Sequence, residues 1–264
     1  MIIMKNILLV FTFWKLNLLS AMEYKISFFI QIFSMIINDF LFFLVWIFFF
    51  EMFWKIGWLD MWTFALLLSI MVMVFWIVHT FFNGYLKIWQ MIEEGRLDTH
   101  LLLPKNILLR LITWSLMVSA IWDILYAFLL MFLIPNLTLF LIFQIIFFSI
   151  IWSATFIWFM LIFTSLSFFI WGSKNIVNGM FEALLWPSHY PPNIFEWTIL
   201  KYIFMTIIPI YFVVSWPFDV IVNFTFTKFI ILISWSMFFV FAGSYVFYKW
   251  LKKYESGNMM YTNV

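Results

Sequence analysis

The chain predicts an all-α, polytopic membrane fold with six transmembrane helices, and three observations carry that prediction. Its 264 residues are 67% hydrophobic and 10% charged, whereas a soluble domain carries roughly 25% charged residues to face water. Apolar runs continue unbroken through residues 40–50 and 145–170, where a barrel strand would alternate apolar and polar residues over about ten positions. Lys and Arg are divided unevenly between alternate connections, as an oriented helical bundle requires. With lipid as solvent, every backbone N–H and C=O at membrane depth needs an internal partner, and such runs can supply one only as helices.

A helix rising about 1.5 Å per residue needs about 20 residues to cross the hydrocarbon layer. Stretches near 27–50, 61–82, 107–134, 137–171, 198–218 and 229–250 reach that length. The fourth is longer than a bilayer requires, so it is expected to be tilted, broken or extended. The fifth holds Pro209 and closes on Trp216-Pro217, which predicts an interruption. Ahead of the first span, Lys5 precedes a short apolar run that Lys15 and Asn17 interrupt, and no A-x-A site follows. That pattern differs from a cleaved signal peptide. Residues 1–24 are expected to form a retained interfacial helix with Lys5, Thr12, Lys15, Ser20 and Glu23 on one broad polar arc. The six-helix domain then occupies 25–264.

Orientation follows from the basic residues. With the N-terminus inside, the inner segments hold Lys5, Lys15, Lys25, Lys87, Arg96, Lys105, Arg110, Lys174, Lys201, Lys249, Lys252 and Lys253. The outer segments hold Lys55 and Lys228. Twelve against two predicts that both termini are cytoplasmic, and an odd number of spans would destroy the pattern. The outer connections are short, at 51–60, at Pro135-Asn136 and after Pro217, while the inner ones at 84–106 and 172–197 are longer. Contacts outside the lipid bilayer are therefore expected mainly in the cytoplasm.

Several function classes are disfavoured. There is no cysteine, so thiol chemistry and Cys-based metal sites are absent. The net charge of +2 is too small to suggest nucleic acid binding. No G-x-x-x-x-G-K-[ST] loop exists to cradle ATP phosphates, and His79, His100 and His189 lack a zinc-binding spacing. No clustered catalytic groups suggest a membrane enzyme, and no paired Ala-Arg-Gly motif suggests an ECF-type coupling subunit. The chain is expected to bind no cofactor or metal and to catalyse nothing itself. The 39 Phe residues admit either a π-lined path or simple lipid contact, and lipid contact accounts for them more economically.

Residues 84–106 are the most charged stretch between the termini. Leu86, Trp89 and Ile92 recur at helical spacing, while Lys87, Gln90, Glu93 and Glu94 fall on other faces. Gly95 can end that turn in a left-handed conformation, Asp98 can cap a second short turn, and Pro104 can stop it. The expected object is a short helix parallel to the membrane, suited either to docking a cytosolic protein or to serving as a solvated connector. Two acids, Asp39 and Asp123, fall within expected spans. A charge at bilayer depth costs about 2.5–3.5 kcal/mol on insertion scales, so such groups face a bundle interior or water. They either line a cation or proton pathway or fix helix packing; Ser119 and Ala120 beside Asp123 favour close helix contact. His79 is expected to be interfacial packing.

The run Ile92-x-x-Gly95-x-Leu97-Asp98-x-x-Leu101-x-x-Pro104-x-Asn106 resembles the cytoplasmic loop of ABC-2 type permeases, in a bacterial branch of about this length. The tract Tyr190-Pro191, Ile208-Pro209 and Trp216-Pro217 is similar to that family's proline pattern, and the tail Leu251-Lys-Lys-Tyr-Glu-Ser-Gly257 to its ending. The sequence departs from the family at Pro192-Asn193, where a more apolar step is usual. The resemblance implies an ABC-2 exporter-like fold in the bacterial inner membrane, with 1–24 as an elbow helix. It implies a homodimer or a dimer with a sister permease, and an ABC ATPase partner that binds ATP and Mg. It also implies that Ile92, Glu93, Glu94, Gly95, Arg96, Leu97 and Asp98 couple to that ATPase. Pro209, Trp216 and Pro217 would belong to a re-entrant outer gate. The rival reading is an ion-coupled secondary carrier using Asp39 and Asp123, although no internal inverted repeat is evident.

Overall fold

A computed structural model describes residues 2–55, 59–103, 106–188, 199 and 216–254. Every regular element spanning several described residues is a helix: α1 (Ile2–Glu23), α2 (Lys25–Phe53), α3 (Met61–Phe81), α4 (Ile88–Glu93), α5 (Leu97–Leu101), α6 (Ile107–Ile112), α7 (Ala120–Phe132), α8 (Leu139–Thr164), α9 (Lys174–Ser188), α10 (Trp216–Val222) and α11 (Phe226–Leu251). Short 3-10 turns at Asn83–Lys87 and Ser165–Phe168 follow α3 and α8. Four of these helices, α2, α3, α8 with its 3-10 extension, and α11, are long and apolar enough to cross a membrane.

Local chemistry sets the ends. Asp60 caps α3 by accepting a hydrogen bond from the Thr63 N–H at 2.8 Å, Thr138 caps α8 through Leu141 N at 3.1 Å, and Thr225 caps α11 through Lys228 N at 3.3 Å. Each satisfies one donor of a first helical turn that has no intrahelical partner. Asn136 turns the chain between α7 and α8 with φ 57°, a left-handed conformation that Asn tolerates. The expected overlong fourth span is one helix that runs on into its 3-10 turn and ends at Phe168, ahead of a turn with Gly172 at φ 74°.

Two expectations change. The third expected span, 107–134, is broken into α6 and α7, with Thr113–Ser119 outside any helix. Hydroxyl and backbone competition explains the break. Thr113 Oγ1 turns back to Leu109 O at 2.8 Å, Ser115 Oγ accepts from Asn83 Nδ2 at 3.1 Å, and Met117 N donates to His79 O at 3.0 Å. The freed backbone is thus met by protein, the only way non-helical chain persists in an apolar bundle. Second, the described part of the connection expected at 172–197 is mostly a helix, α9. Of the fifth expected span, 198–218, only Ile199 and the start of α10 lie among the described residues; Pro209, Tyr190 and Pro191 lie outside them. Pro217 sits in the first turn of α10, where its missing N–H costs nothing.

The core is built around α3, which packs against α7 on one flank and α8 on the other; α8 in turn packs against α11. Phe64, Leu67, Ile70 and Trp152 are fully buried there. Close contact between α8 and α11 needs a small residue, as membrane helix pairs commonly do. A Cβ on Gly243 would lie 2.5 Å from Trp158 O, and the neighbouring Ser244 Oγ accepts from Trp158 Nε1 at 2.6 Å. By contrast α2 is mostly exposed, presenting Phe29, Phe33, Phe40 and Phe48 outward. Helix α1 sits at the end of the bundle that holds the 84–106 loop: Phe11 and Trp14 pack on Phe81, and Asn17 Nδ2 donates to Thr113 O at 3.1 Å.

Gly243→Val is expected to destabilise the bundle by about 1–3 kcal/mol through overpacking, read as earlier thermal unfolding in detergent. Gly179→Ala, in open space on α9, should leave that transition unchanged or raise it.

Candidate functional site

The 84–106 loop folds as a compact double turn rather than one helix. Gly84 opens it by pressing against α6: a Cβ there would lie 2.0 Å from Leu111 O. Ile88, Met91 and Leu97 are buried beneath the loop, while Glu94, Arg96 and Thr99 are exposed. Gly95 joins α4 to α5 with φ 67°, as its freedom from a Cβ permits. Asp98 stands inside the first turn of α5 instead of capping it. The residue before that helix is Arg96, whose side chain makes no capping bond.

Three anchors hold the double turn to the bundle. Glu93 Oε1 accepts from the backbone N–H of Gly172 at 2.8 Å and of Ser173 at 3.2 Å, fixing α4 to the junction of α8 and α9. Lys174 lies 5.8 Å over the Trp89 ring at the same junction. Arg110, buried on α6, donates from Nη1 to His100 O at 2.8 Å and from Nη2 to Leu103 O at 3.4 Å, meeting carbonyls at the end of α5. Asn106 caps α6 and accepts from the Tyr248 hydroxyl of α11 at 3.0 Å. Tyr254, after α11, has its hydroxyl pushed up to about 12 by burial and by the Asp98 carboxyl beside it. Burial holds His100 below the usual imidazole range, helped by the positive charges of Arg110 and Arg96. Its ring meets the edge of Trp114 at 4.6 Å.

Of the seven loop residues singled out from sequence, Glu93 is therefore engaged within the chain and Leu97 is buried. Glu94 and Arg96 form an exposed ion pair with each other, and Gln90 Nε2 donates to Glu94 Oε1 at 2.6 Å. Ile92, Gly95 and Asp98 are partly exposed around them. The outward face of the turn is thus small, charged and held on a rigid base.

The two acids, 84 positions apart, meet. Asp39 of α2 and Asp123 of α7 line one cavity of about 390 Å³ between α2, α3, α7 and α9. Asp39 is 7% exposed and Asp123 3%, and Asp39 Oδ2 and Asp123 Oδ1 have no hydrogen-bond partner among the described residues. Tyr126 donates to the Asp39 carbonyl at 3.4 Å, joining α7 to α2 beside them. His79, in the last turn of α3, is buried at 1% exposure, packs against Phe75, Tyr85 and Phe181, and lines the same cavity. Its Nδ1 donates to Asn83 Oδ1 at 3.0 Å, and its Nε2 is left without a partner. Asn38, Tyr126 and Glu182, missed from sequence, also line the cavity, as does Ser119, which the sequence marked for helix contact. The His79/Asn83 pair at helical i, i+4 spacing was the one readable signal. The chain His79–Asn83–Ser115 runs from the cavity to the root of the 84–106 loop. Among the described residues no group of three or more His, Cys, Asp or Glu could hold a metal ion.

A family model described as ABC-2 family transporter protein matches residues 36–257, a stretch that contains the loop and both acids. Neither a curated protein nor a solved structure matches the chain.

Glu93→Ala is expected to speed backbone amide exchange at Gly172 and Ser173 by about tenfold or more, since hydrogen bonds to a charged acceptor are worth about 1.5–3 kcal/mol. Acidification should loosen the loop. The His100 value lies below that of the unfolded segment, so the unfolded form takes up the proton first as pH falls through about 6.5. The stabilisation is complete above that pH and is lost toward the lower folded value. Exchange at 97–103, corrected for intrinsic rate, should therefore rise between pH 7 and pH 5, and His100→Gln should flatten that rise.

Proposed function

The chain belongs to the ABC-2 family of transporter proteins, and from that premise we propose that it is the membrane-spanning permease subunit of an ATP-driven exporter. In this reading a separate cytosolic ABC ATPase binds ATP and Mg, and the 84–106 double turn docks into it. A second permease, identical or a sister chain, completes the translocation path. The protein lies in the bacterial inner membrane with both termini cytoplasmic. Helix α1 serves as an elbow at the cytoplasmic surface, and the tract through Pro209, Trp216 and Pro217 closes the outer side.

One observation carries the proposal: a charged turn, Glu94-Gly95-Arg96, stands exposed on a base pinned to α6, α9 and the α8–α9 junction. A lever must be stiff toward the spans it moves and polar toward the engine that pushes it. Glu93 and Arg110 supply the stiffness, while Glu94 and Arg96 supply the polar face. The His79–Asn83–Ser115 chain supports this reading, because it places the cavity one hydrogen-bonded step from the lever.

The second reading, an ion-coupled carrier using Asp39 and Asp123, is favoured by the cavity that both acids share. The energy source separates the two. Dissipating the proton and sodium gradients stops a carrier and spares the exporter, whereas inactivating the partner ATPase does the reverse.

Glu94→Ala with Arg96→Ala is expected to lower transport-coupled ATPase activity of the copurified complex about tenfold, without shifting thermal unfolding of the permease. Wild-type coupling in that variant removes the lever from these residues. Because the chain has no cysteine, Arg96→Cys supplies a lone thiol. It should react with a membrane-impermeant maleimide in inverted vesicles and stay unlabelled in intact cells.

A further inference from the structure

We propose that the cavity between α2, α3, α7 and α9 binds a lipophilic organic cation. Asp39 and Asp123 hold its positive centre, and Phe42, Phe75 and Phe181 enclose its apolar body. This deepens the transport reading and rests on it for the ligand being cargo; binding itself follows from the cavity alone.

Size comes first. About 390 Å³ is far more than a bare metal ion fills and lies in the range of small-molecule pockets, which are apolar with a few polar groups. The walls match that pattern: Met35, Leu68, Met71 and Val72 join the three phenylalanines around a short polar list. Calcium or magnesium needs six or more oxygen ligands, or water in their place, and no group of three or more His, Cys, Asp or Glu that could hold a metal occurs among the described residues.

Charge comes second. Asp39, Asp123 and Glu182 line the cavity, and no Lys or Arg is among the described residues that do. An anionic ligand would meet three carboxylates without a counter-charge. Burying two carboxylic side chains with an oxygen each unpaired is costly unless something supplies a donor or a positive charge. The unpartnered Nε2 of His79 adds a third unmet polar atom to the same wall from a different helix. Aromatic faces are the remaining requirement, because a cation is attracted to the ring quadrupole, more strongly where water is excluded. Phe75 and Phe181 lie 6.3 Å apart by ring centroids and both line the cavity.

The test uses the full chain in lipid nanodiscs with labelled tetraphenylphosphonium, and with tetraphenylborate as an anion of the same shape. Saturable binding of the cation is expected, weakened at least tenfold in Asp39→Asn and in Asp123→Asn and unchanged in Asp219→Asn, whose carboxylate pairs with Lys228 at a separate site. The borate should not compete. No saturable cation binding, equal binding of both ions, or full binding in both aspartate variants overturns the proposal. The wild-type comparison of the two ions decides the matter even if a variant fails to fold. Absence of cation binding together with uncoupling by the Glu94/Arg96 double variant defeats the site and leaves the permease reading standing. Cation binding without that uncoupling supports the site and defeats the lever.

Discussion

Between Ile112 and Ala120 the backbone leaves helical conformation inside an apolar bundle, and each polar group freed there must be met by protein rather than by solvent. From the end of α3 the His79 carbonyl accepts from the freed Met117 N–H, and the Asn83 amide holds the Ser115 hydroxyl beside it. This fixes where α7 starts, and so where Asp123 stands in relation to α2 and α3. It also draws α6 back against Gly84, which has no Cβ to keep the carbonyls of Leu111 and Ile112 away. The cavity and the charged loop are therefore two consequences of one interruption.

The distribution of burial follows from α3 being central. Its neighbours α7 and α8 bury their facing residues, whereas α2, α11 and the outer half of α8 leave Phe40, Phe238, Phe241 and Phe140 exposed. In water such a surface would drive aggregation, while in a bilayer it is the ordinary lipid-facing side. Polar groups are correspondingly concentrated inward. Ser149, Ser153 and Thr164 on the long helix α8, and Ser165 in the 3-10 turn after it, turn their hydroxyls to carbonyls, which leaves the cavity acids as buried groups with an oxygen unspent.

Much of this was readable from residues alone. The bounds of α2, α3 and α11 follow from apolar length with charged or polar ends, and the left-handed Gly95 follows from its place between two helical patterns. The candidate acids were visible because charge is rare in apolar runs. Other features were not readable, for identifiable reasons. The run 107–134 is apolar on average despite Arg110, Thr113, Ser115, Ser119 and Asp123, so hydropathy cannot distinguish one long helix from two joined by a break. That choice depends on distant hydrogen-bond partners, the His79 carbonyl and the Asn83 amide. Glu93 looks like its neighbour Glu94 in sequence. Only the arrival of the Gly172 and Ser173 N–H groups makes one internal and leaves the other on the surface.

Composition and charge placement alone determined that the chain is a helical membrane protein, with one charged loop and two acids out of place. Hydropathy and electrostatics act residue by residue, and a linear string records them fully. Tertiary structure decided that Asp39 and Asp123 share a cavity with His79, and that Glu93 braces the loop while Glu94 and Arg96 face outward. Such pairings depend on which helices meet and at what depth. That is settled by packing around α3 and by the need to satisfy a broken backbone, neither of which is written at any single position.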